Sequence, residues 1–121
     1  AFEPHPIQGW TPDFIPYVLQ EAIDGHLYDE VMPVAGADGI KWAKELARRE
    51  GIFTGISGGA SFAVARQIAE RSEPGSVVLC MLPDTGERYL STPLFEGIEP
   101  EMDAEELELS RSTPACQMAA A

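Results

Sequence analysis

The sequence has no apolar run approaching the roughly 20 residues that span a bilayer, and no basic segment leading into an apolar stretch. It predicts neither a membrane helix nor a secretory leader. Histidine is scarce. His5 and His26 lie far apart, with no cysteine or carboxylate cluster at ligand spacing, so no metal site is expected. Cysteine is limited to Cys80, inside an apolar run, and Cys116, in the tail. That excludes a disulfide scaffold and fits a reducing cytoplasm, with Cys80 as a small buried hydrophobe. Basic residues are few: 8 Lys and Arg against 20 Asp and Glu give a net charge of −12. Such a surface repels nucleic-acid phosphates and anionic lipid. An initiating Met is also lacking, and the opening Ala-Phe-Glu-Pro-His lies in a proline-rich stretch. The natural start is therefore expected upstream.

What is present suits one small domain: 121 residues, 45% hydrophobic. Residues 1–13, with Pro4, Pro6 and Pro12, read as loop. Ile15, Val18, Leu19, Ala22 and Ile23 have helical spacing, with Asp13 as cap and Gly25 as terminator. Residues 30–34 read as a short strand despite Pro33. Asp38 caps a helix through Glu50 with a buried stripe of Ile40, Ala43, Leu46 and Ala47, closed by Gly51. Residues 52–54 form a short strand, and Gly58 to Glu70 a well-buried helix. Ser76–Leu82, apolar at nearly every position, reads as a central parallel strand. The alternation predicts an α/β fold with an open parallel sheet. Residues 101–110 are expected as a short acidic helix and 111–121 as a frayed tail.

Ligands in such sheets bind at the carboxyl ends of strands. Thr54-Gly55-Ile56-Ser57-Gly58-Gly59 and Pro83-Asp84-Thr85-Gly86-Glu87-Arg88 should therefore share one rim. Gly55-Ile56-Ser57-Gly58-Gly59 also fits the G-x-S-x-G nucleophile elbow, but both histidines precede Ser57, against the Ser–acid–His order of that fold. Ser57 as a simple helix cap competes with a ligand role. The glycines do not make a G-x-G-x-x-G or P-loop pattern.

Three blocks carry a family likeness. Gly86-Glu87-Arg88-Tyr89-Leu90-Ser91-Thr92, followed by Leu94-Phe95, is similar to the G-E-R-Y-L-S-T block of cysteine synthases (O-acetylserine sulfhydrylases). Glu50 to Ala60 resembles their E-G-I-x-x-G-I-S-S-G-A block, and Ile7-Gln8-Gly9 with Phe14-Ile15-Pro16 resembles their I-Q-G-I-G-A-G-F-I-P loop. The chain thus resembles the C-terminal part of the cysteine synthase/cystathionine β-synthase family. These are fold type II (tryptophan synthase β-like) enzymes that use pyridoxal 5′-phosphate (PLP). Residues 1–100 would be the C-terminal portion of the PLP-binding catalytic domain, and 101–121 an acidic helix and tail.

The resemblance implies that Ser57 hydrogen-bonds the pyridine nitrogen of PLP and that Pro83 and Asp84 lie near its ring. A neutral hydroxyl does not favour a protonated ring nitrogen, which suits β-elimination chemistry. Gln8, Gly9, Trp10 and Thr11 would border the substrate. The implied reaction is β-replacement: O-acetylserine loses acetate, and sulfide adds to give cysteine. The sister activity is cystathionine β-synthesis. A non-catalytic role, binding the C-terminal tail of serine acetyltransferase, is the contrasting expectation, and a homodimer is expected from the family.

The sequence also departs from the pattern. Trp10-Thr11-Pro12-Asp13 replaces I-G-A-G, and Gly58 replaces the second serine. The Schiff-base lysine, the T-S-G-N-T-type substrate loop and the phosphate loop are absent. Lys41 and Lys44, on an amphipathic helix, are the only lysines. No catalytic residue is therefore assigned within this chain. By itself it should be inactive, completed by the N-terminal half of the same enzyme.

Overall fold

The computed structural model describes residues 5–7 and 14–112. The helix α1 spans Tyr17–Asp24, starting later than the apolar spacing predicts. Ile15 precedes Pro16, whose ring disfavours helical backbone at the residue before it. Pro16 takes the N-cap without a side-chain capping bond. The predicted cap, Asp13, lies outside the described residues. The end differs as well. Gly25 stays right-handed, and His26 takes the left-handed position at φ 50°. Leu27 N donates to Ala22 O at 3.0 Å and His26 N to Ile23 O at 3.1 Å, the bond pair of a Schellman ending.

Helix α2, Gly36–Glu50, begins after Ala35. Asp38 is not its cap but sits in the first turn, where its charge complements the helix dipole. Gly51 closes it at φ 68°, as expected, with bonds back to Ala47 O and Leu46 O. Helix α3, Ile56–Arg71, has Gly55 as its N-cap. Ser57 therefore lies one residue inside the helix, and the capping role considered for it is overturned. Helix α4, Ala104–Ser112, runs two residues into the stretch expected as frayed. A reciprocal capping box starts it: Glu106 N donates to Asp103 Oδ1 at 2.8 Å and Asp103 N to Glu106 Oε2 at 2.9 Å.

The packing centre is the crossing of α2 and α3. Gly39 meets Ala60, and Gly59 meets Gly39 and Ala43, and these small residues let the backbones close up. A Cβ on Gly59 would lie 2.5 Å from Ala43 N and closer still to Gly39 O. Ile7, Ala43, Ile56, Ala60 and Leu94 form one buried cluster, flanked by Val34, Ile40, Tyr89 and Phe95. The predicted stripe of α2 is thus the buried face, with Ala43 and Leu46 fully inside. Trp42 packs edge-on to Phe62 and carries Lys41 Nζ and Arg66 Cζ over its ring, 5.2 and 4.8 Å from the centroid.

The expected parallel sheet does not form among the described residues. Among the described residues the single β-bridge joins Thr54 to Thr85, and it is antiparallel. Residues 30–34 and 76–82 carry no regular secondary structure and pair with nothing described. A strand exists through its ladder, and neither segment has a neighbour among the described residues to supply one. Their side chains nevertheless alternate as strands do. Val78, Cys80 and Leu82 turn inward and are half-buried, while Val77 and Leu79 are 95% and 96% exposed. Cys80 is accordingly half-buried rather than buried, and burial pushes its thiol pKa up. No helix among the described residues is long and apolar enough to cross a membrane, and none of their His, Cys, Asp and Glu side chains gather in threes that could hold a metal ion.

Candidate functional site

Two turns predicted to share a rim do meet. The first is the Thr54–Ser57 turn into α3; the second is the Pro83–Gly86 turn. Besides the Thr54–Thr85 bridge, Gly86 N donates to Phe53 O at 3.2 Å, and Thr54 Oγ1 donates to Asp84 O at 3.1 Å. Gly86 has no side chain because the Phe53 ring occupies that space: a Cβ would lie 2.8 Å from it. Phe53 in turn packs against Phe95, ring centroids 5.4 Å apart and tilted by 49°, and Phe95 follows the fully buried Leu94. The block after Gly86 thereby acts as a buttress that presses the second turn against the first.

Ser57 is 7% exposed in the first turn of α3, the end at which unpaired N–H groups and the dipole favour electron-rich partners. Asp84 sits across the turn. Its Oδ2 accepts from Tyr89 Oη at 2.5 Å. Its Oδ1 is buried with no hydrogen-bond partner among the described residues, against the general rule for buried polar atoms. Gly55 leaves room for this pair, since a Cβ there would run into both Asp84 Oδ1 and the Tyr89 ring. The hydrogen bond to Asp84 is the main cause that holds the Tyr89 phenol pKa above its ordinary value, with burial adding to it. Pro83 is exposed.

Gly58 has a local explanation. A Cβ at that position would lie 3.0 Å from Thr54 Cβ and Cγ2 and would collide with Thr54 Oγ1. The glycine that replaces a serine of the resembled block is what admits the threonine side chain.

Gln8, Gly9, Trp10 and Thr11 lie outside the described residues. The segment leading to them is fixed. Ile7 is buried in the core, its N–H donates to His5 Nδ1 at 3.1 Å, and the Pro6 ring sits where a Cβ on Gly36 would go, 2.8 Å away. Between this segment and the rim lies a cavity of about 240 Å³ bordered by His5, Ile40, Ile56, Arg88, Tyr89 and Thr92. Thr54 and Tyr89 were not singled out from the sequence. Tyr89 lies in the Gly86–Thr92 block, where a phenol five residues after a carboxylate was the available signal. Thr54 gave none.

A PLP-type cofactor requires a partner for its ring nitrogen, a cradle for its phosphate and a lysine amine for its aldehyde. The buried hydroxyl at the start of α3, the glycine-lined turn and the unpaired Asp84 oxygen fit the ring side. The sequence contains neither the phosphate loop nor a lysine near this rim, since Lys41 and Lys44 lie on α2.

The two turns meet at the start of α3 beside a buried hydroxyl. Comparison with known proteins supplies the family. Residues 2–84 match the family described as pyridoxal-phosphate dependent enzyme. The chain is 46% identical over 98 residues to O-ureido-L-serine synthase of Streptomyces lavendulae, covering 81% of this chain and 29% of that protein. It is 43% identical over 94 residues to a probable cysteine synthase of Bacillus subtilis (strain 168), covering 78% and 29%. The O-ureido-L-serine-bound lysine-to-alanine mutant of O-ureido-L-serine synthase superposes with a TM-score of 0.76 at 42% identity, covering 93% of this chain and 34% of that one. Cysteine synthase of Entamoeba histolytica gives 0.69 at 31% identity, covering 90% and 31%. This chain belongs to the pyridoxal-phosphate dependent enzyme family. It spans about three tenths of the length of the curated relatives it matches.

Proposed function

We propose that this chain forms the ring-nitrogen side of the PLP site in an enzyme that replaces the β-substituent of an O-activated L-serine. The carrying observation is that the Thr54–Ser57 turn and the Asp84–Tyr89 turn are clamped together at the start of α3, with Ser57 buried between them. Bound PLP would supply the electron withdrawal that loosens the bond to the β-carbon. Ser57 would hold the ring nitrogen through a neutral hydroxyl. Thr54 and Tyr89 would fix the second turn, and Asp84 would flank the ring with Pro83. The loop carrying Gln8, Gly9, Trp10 and Thr11 would border the substrate.

The reading favoured here is loss of acetate from O-acetylserine and addition of sulfide to give cysteine, as the cysteine synthase relatives and the Gly86–Thr92 block support. A second reading is addition of a hydroxyurea oxygen to give O-ureido-L-serine. The 46% identical relative supports it. A cystathionine-forming variant would take homocysteine, and a purely binding role would hold a serine acetyltransferase tail. The test is a chimera in which this chain replaces the matching stretch of the Streptomyces lavendulae enzyme. With O-acetylserine, the acceptors sulfide, hydroxyurea and homocysteine are offered in turn and the amino-acid products are weighed. Cysteine as the main product supports the favoured reading, and O-ureido-L-serine as the main product replaces it with the second. A chimera that binds PLP and forms none of the three products overturns the β-replacement assignment.

A further inference from the structure

The cavity between the His5–Ile7 segment and the rim carries a charge opposite to that of the chain. Asp and Glu outnumber Lys and Arg by 20 to 8. Yet among the described residues no carboxylate borders this space of about 240 Å³. Its polar lining is His5, Arg88, Tyr89 and Thr92, and its apolar walls include Ile40 and Ile56. A few convergent polar groups in an apolar concavity are what a small-molecule site needs.

Two of the four polar groups have already spent their hydrogens. Tyr89 Oη donates to Asp84 Oδ2 at 2.5 Å, and Thr92 Oγ1 donates to Tyr89 O at 2.7 Å. The other two have hydrogens to give. His5 Nδ1 accepts from Ile7 N–H at 3.1 Å, which leaves Nε2 as the donor of the ring. Arg88 makes no ion pair among the described residues, and a guanidinium is all donors and no acceptor. Its charge acts on the same wall: the hydrogen bond to Asp84 raises the Tyr89 pKa, and Arg88 partly opposes that rise. The cavity therefore offers donors and positive charge to whatever enters it.

Those donors call for an anion, and the walls call for more than a bare one. The planar fork of Arg88 matches a carboxylate. Ile40 and Ile56 gain only from a hydrocarbon body. The volume, below the roughly 300–1,000 Å³ typical of ligand pockets, limits that body to a few carbons. We infer that this cavity is a binding site for a short-chain monocarboxylate, held by Arg88 and His5 Nε2 with its hydrocarbon end against Ile40 and Ile56. Ile56 precedes Ser57 and Tyr89 holds Asp84, so the occupant touches both turns of the rim. The acetate released in the favoured reaction belongs to this ligand class. Neither the lining nor the ligand class depends on PLP.

Titration of the 121-residue chain, isotopically labelled and free of PLP, tests the site by nuclear magnetic resonance. Acetate and propionate are added in turn, with acetamide as the uncharged match and sodium chloride at equal ionic strength as the bare anion. The amide signals of Ile40, Ile56, Tyr89 and Thr92 are expected to shift and saturate with both carboxylates. Propionate should bind about fourfold tighter for the one methylene it adds. Acetamide and chloride should produce no saturation. Arg88→Gln, at an exposed position, should weaken acetate by about 10-fold or more, as for losing a hydrogen bond to a charged group, while the α2 and α3 amides keep their positions. Absence of a saturable shift at the four amides overturns the inference. So does chloride that saturates them as tightly as acetate, which leaves only an anion drawn to a surface arginine. Unchanged acetate affinity in Arg88→Gln overturns it as well.

Discussion

Tyr89 donates its phenolic hydrogen to Asp84 across five residues, Oη to Oδ2 at 2.5 Å, while the other oxygen of the same carboxylate is buried without a partner among the described residues. One bond thus holds a carboxylate that is only half satisfied, and it does so between the turn that presents Ser57 and the buttress at Leu94. Tyr89→Phe removes the donor and leaves both oxygens unpaired, at a cost of about 1–3 kcal/mol. Urea denaturation of the two proteins side by side measures it. An unchanged midpoint would show that the bond is idle.

The same bond has a pH signature. The Tyr89 pKa is raised in the folded chain, chiefly by Asp84. Its stabilising contribution is therefore fully present below the ordinary tyrosine pKa of about 10 and is lost as pH rises through the higher folded value. Ultraviolet titration should show one of the three tyrosines ionising late in the wild-type chain. That late step should be missing in Tyr89→Phe.

Gly58 and Thr54 should behave as a coupled pair. Gly58→Ser alone drives a Cβ into Thr54, an overpacking expected to cost about 1–3 kcal/mol. In a Thr54→Ala background most of that cost should vanish. A double-mutant cycle with a coupling energy above about 0.5 kcal/mol meets the expectation, whereas additive costs would mean that the serine finds another way to fit.

His26 holds the left-handed position that closes α1, at φ 50°. Left-handed backbone is penalised for residues with a Cβ by roughly 1–2 kcal/mol. Because histidine tolerates the region better than most, His26→Gly should stabilise the chain by less than that, about 0.5–1 kcal/mol. Thermal unfolding followed by circular dichroism should show a modest rise in Tm, and a fall would point to side-chain contacts that matter more than the backbone.

The helices were legible because their signals are local. The stripe of α2 and its Gly51 ending follow from spacing and from one glycine. The meeting of the Thr54–Ser57 and Asp84 turns was also legible, since each follows an extended apolar run. Three things were not. The start of α1 moved because Pro16 constrains Ile15, a steric effect that apolar spacing does not register. The terminator role passed from Gly25 to His26, since the position of the left-handed residue depends on how many turns the helix completes. The parallel sheet was predicted from Ile52-Phe53-Thr54 and Ser76–Leu82, whose composition is adapted to neighbours. Composition records that a strand is meant to be covered, but not whether the covering residues lie in the same 121.

The rim assignment carries a direct mutational test in the chimera. On the proposed reading, Ser57→Ala would leave the ring nitrogen without its hydroxyl and should lower the β-replacement rate by at least about 10-fold, as expected for losing one positioned polar contact in an active site. PLP binding should persist through the parts contributed by the other polypeptide. A full rate with unchanged absorption spectrum would remove Ser57 from the site.

The central claim is that this chain shares a PLP site whose lysine lies elsewhere. Its most direct test is borohydride reduction of the PLP-loaded chimera, followed by peptide mass mapping. The account requires a single PLP adduct on a lysine of the Streptomyces-derived portion, with Lys41 and Lys44 unmodified. An adduct on Lys41 or Lys44, or no adduct in a folded chimera, would contradict it.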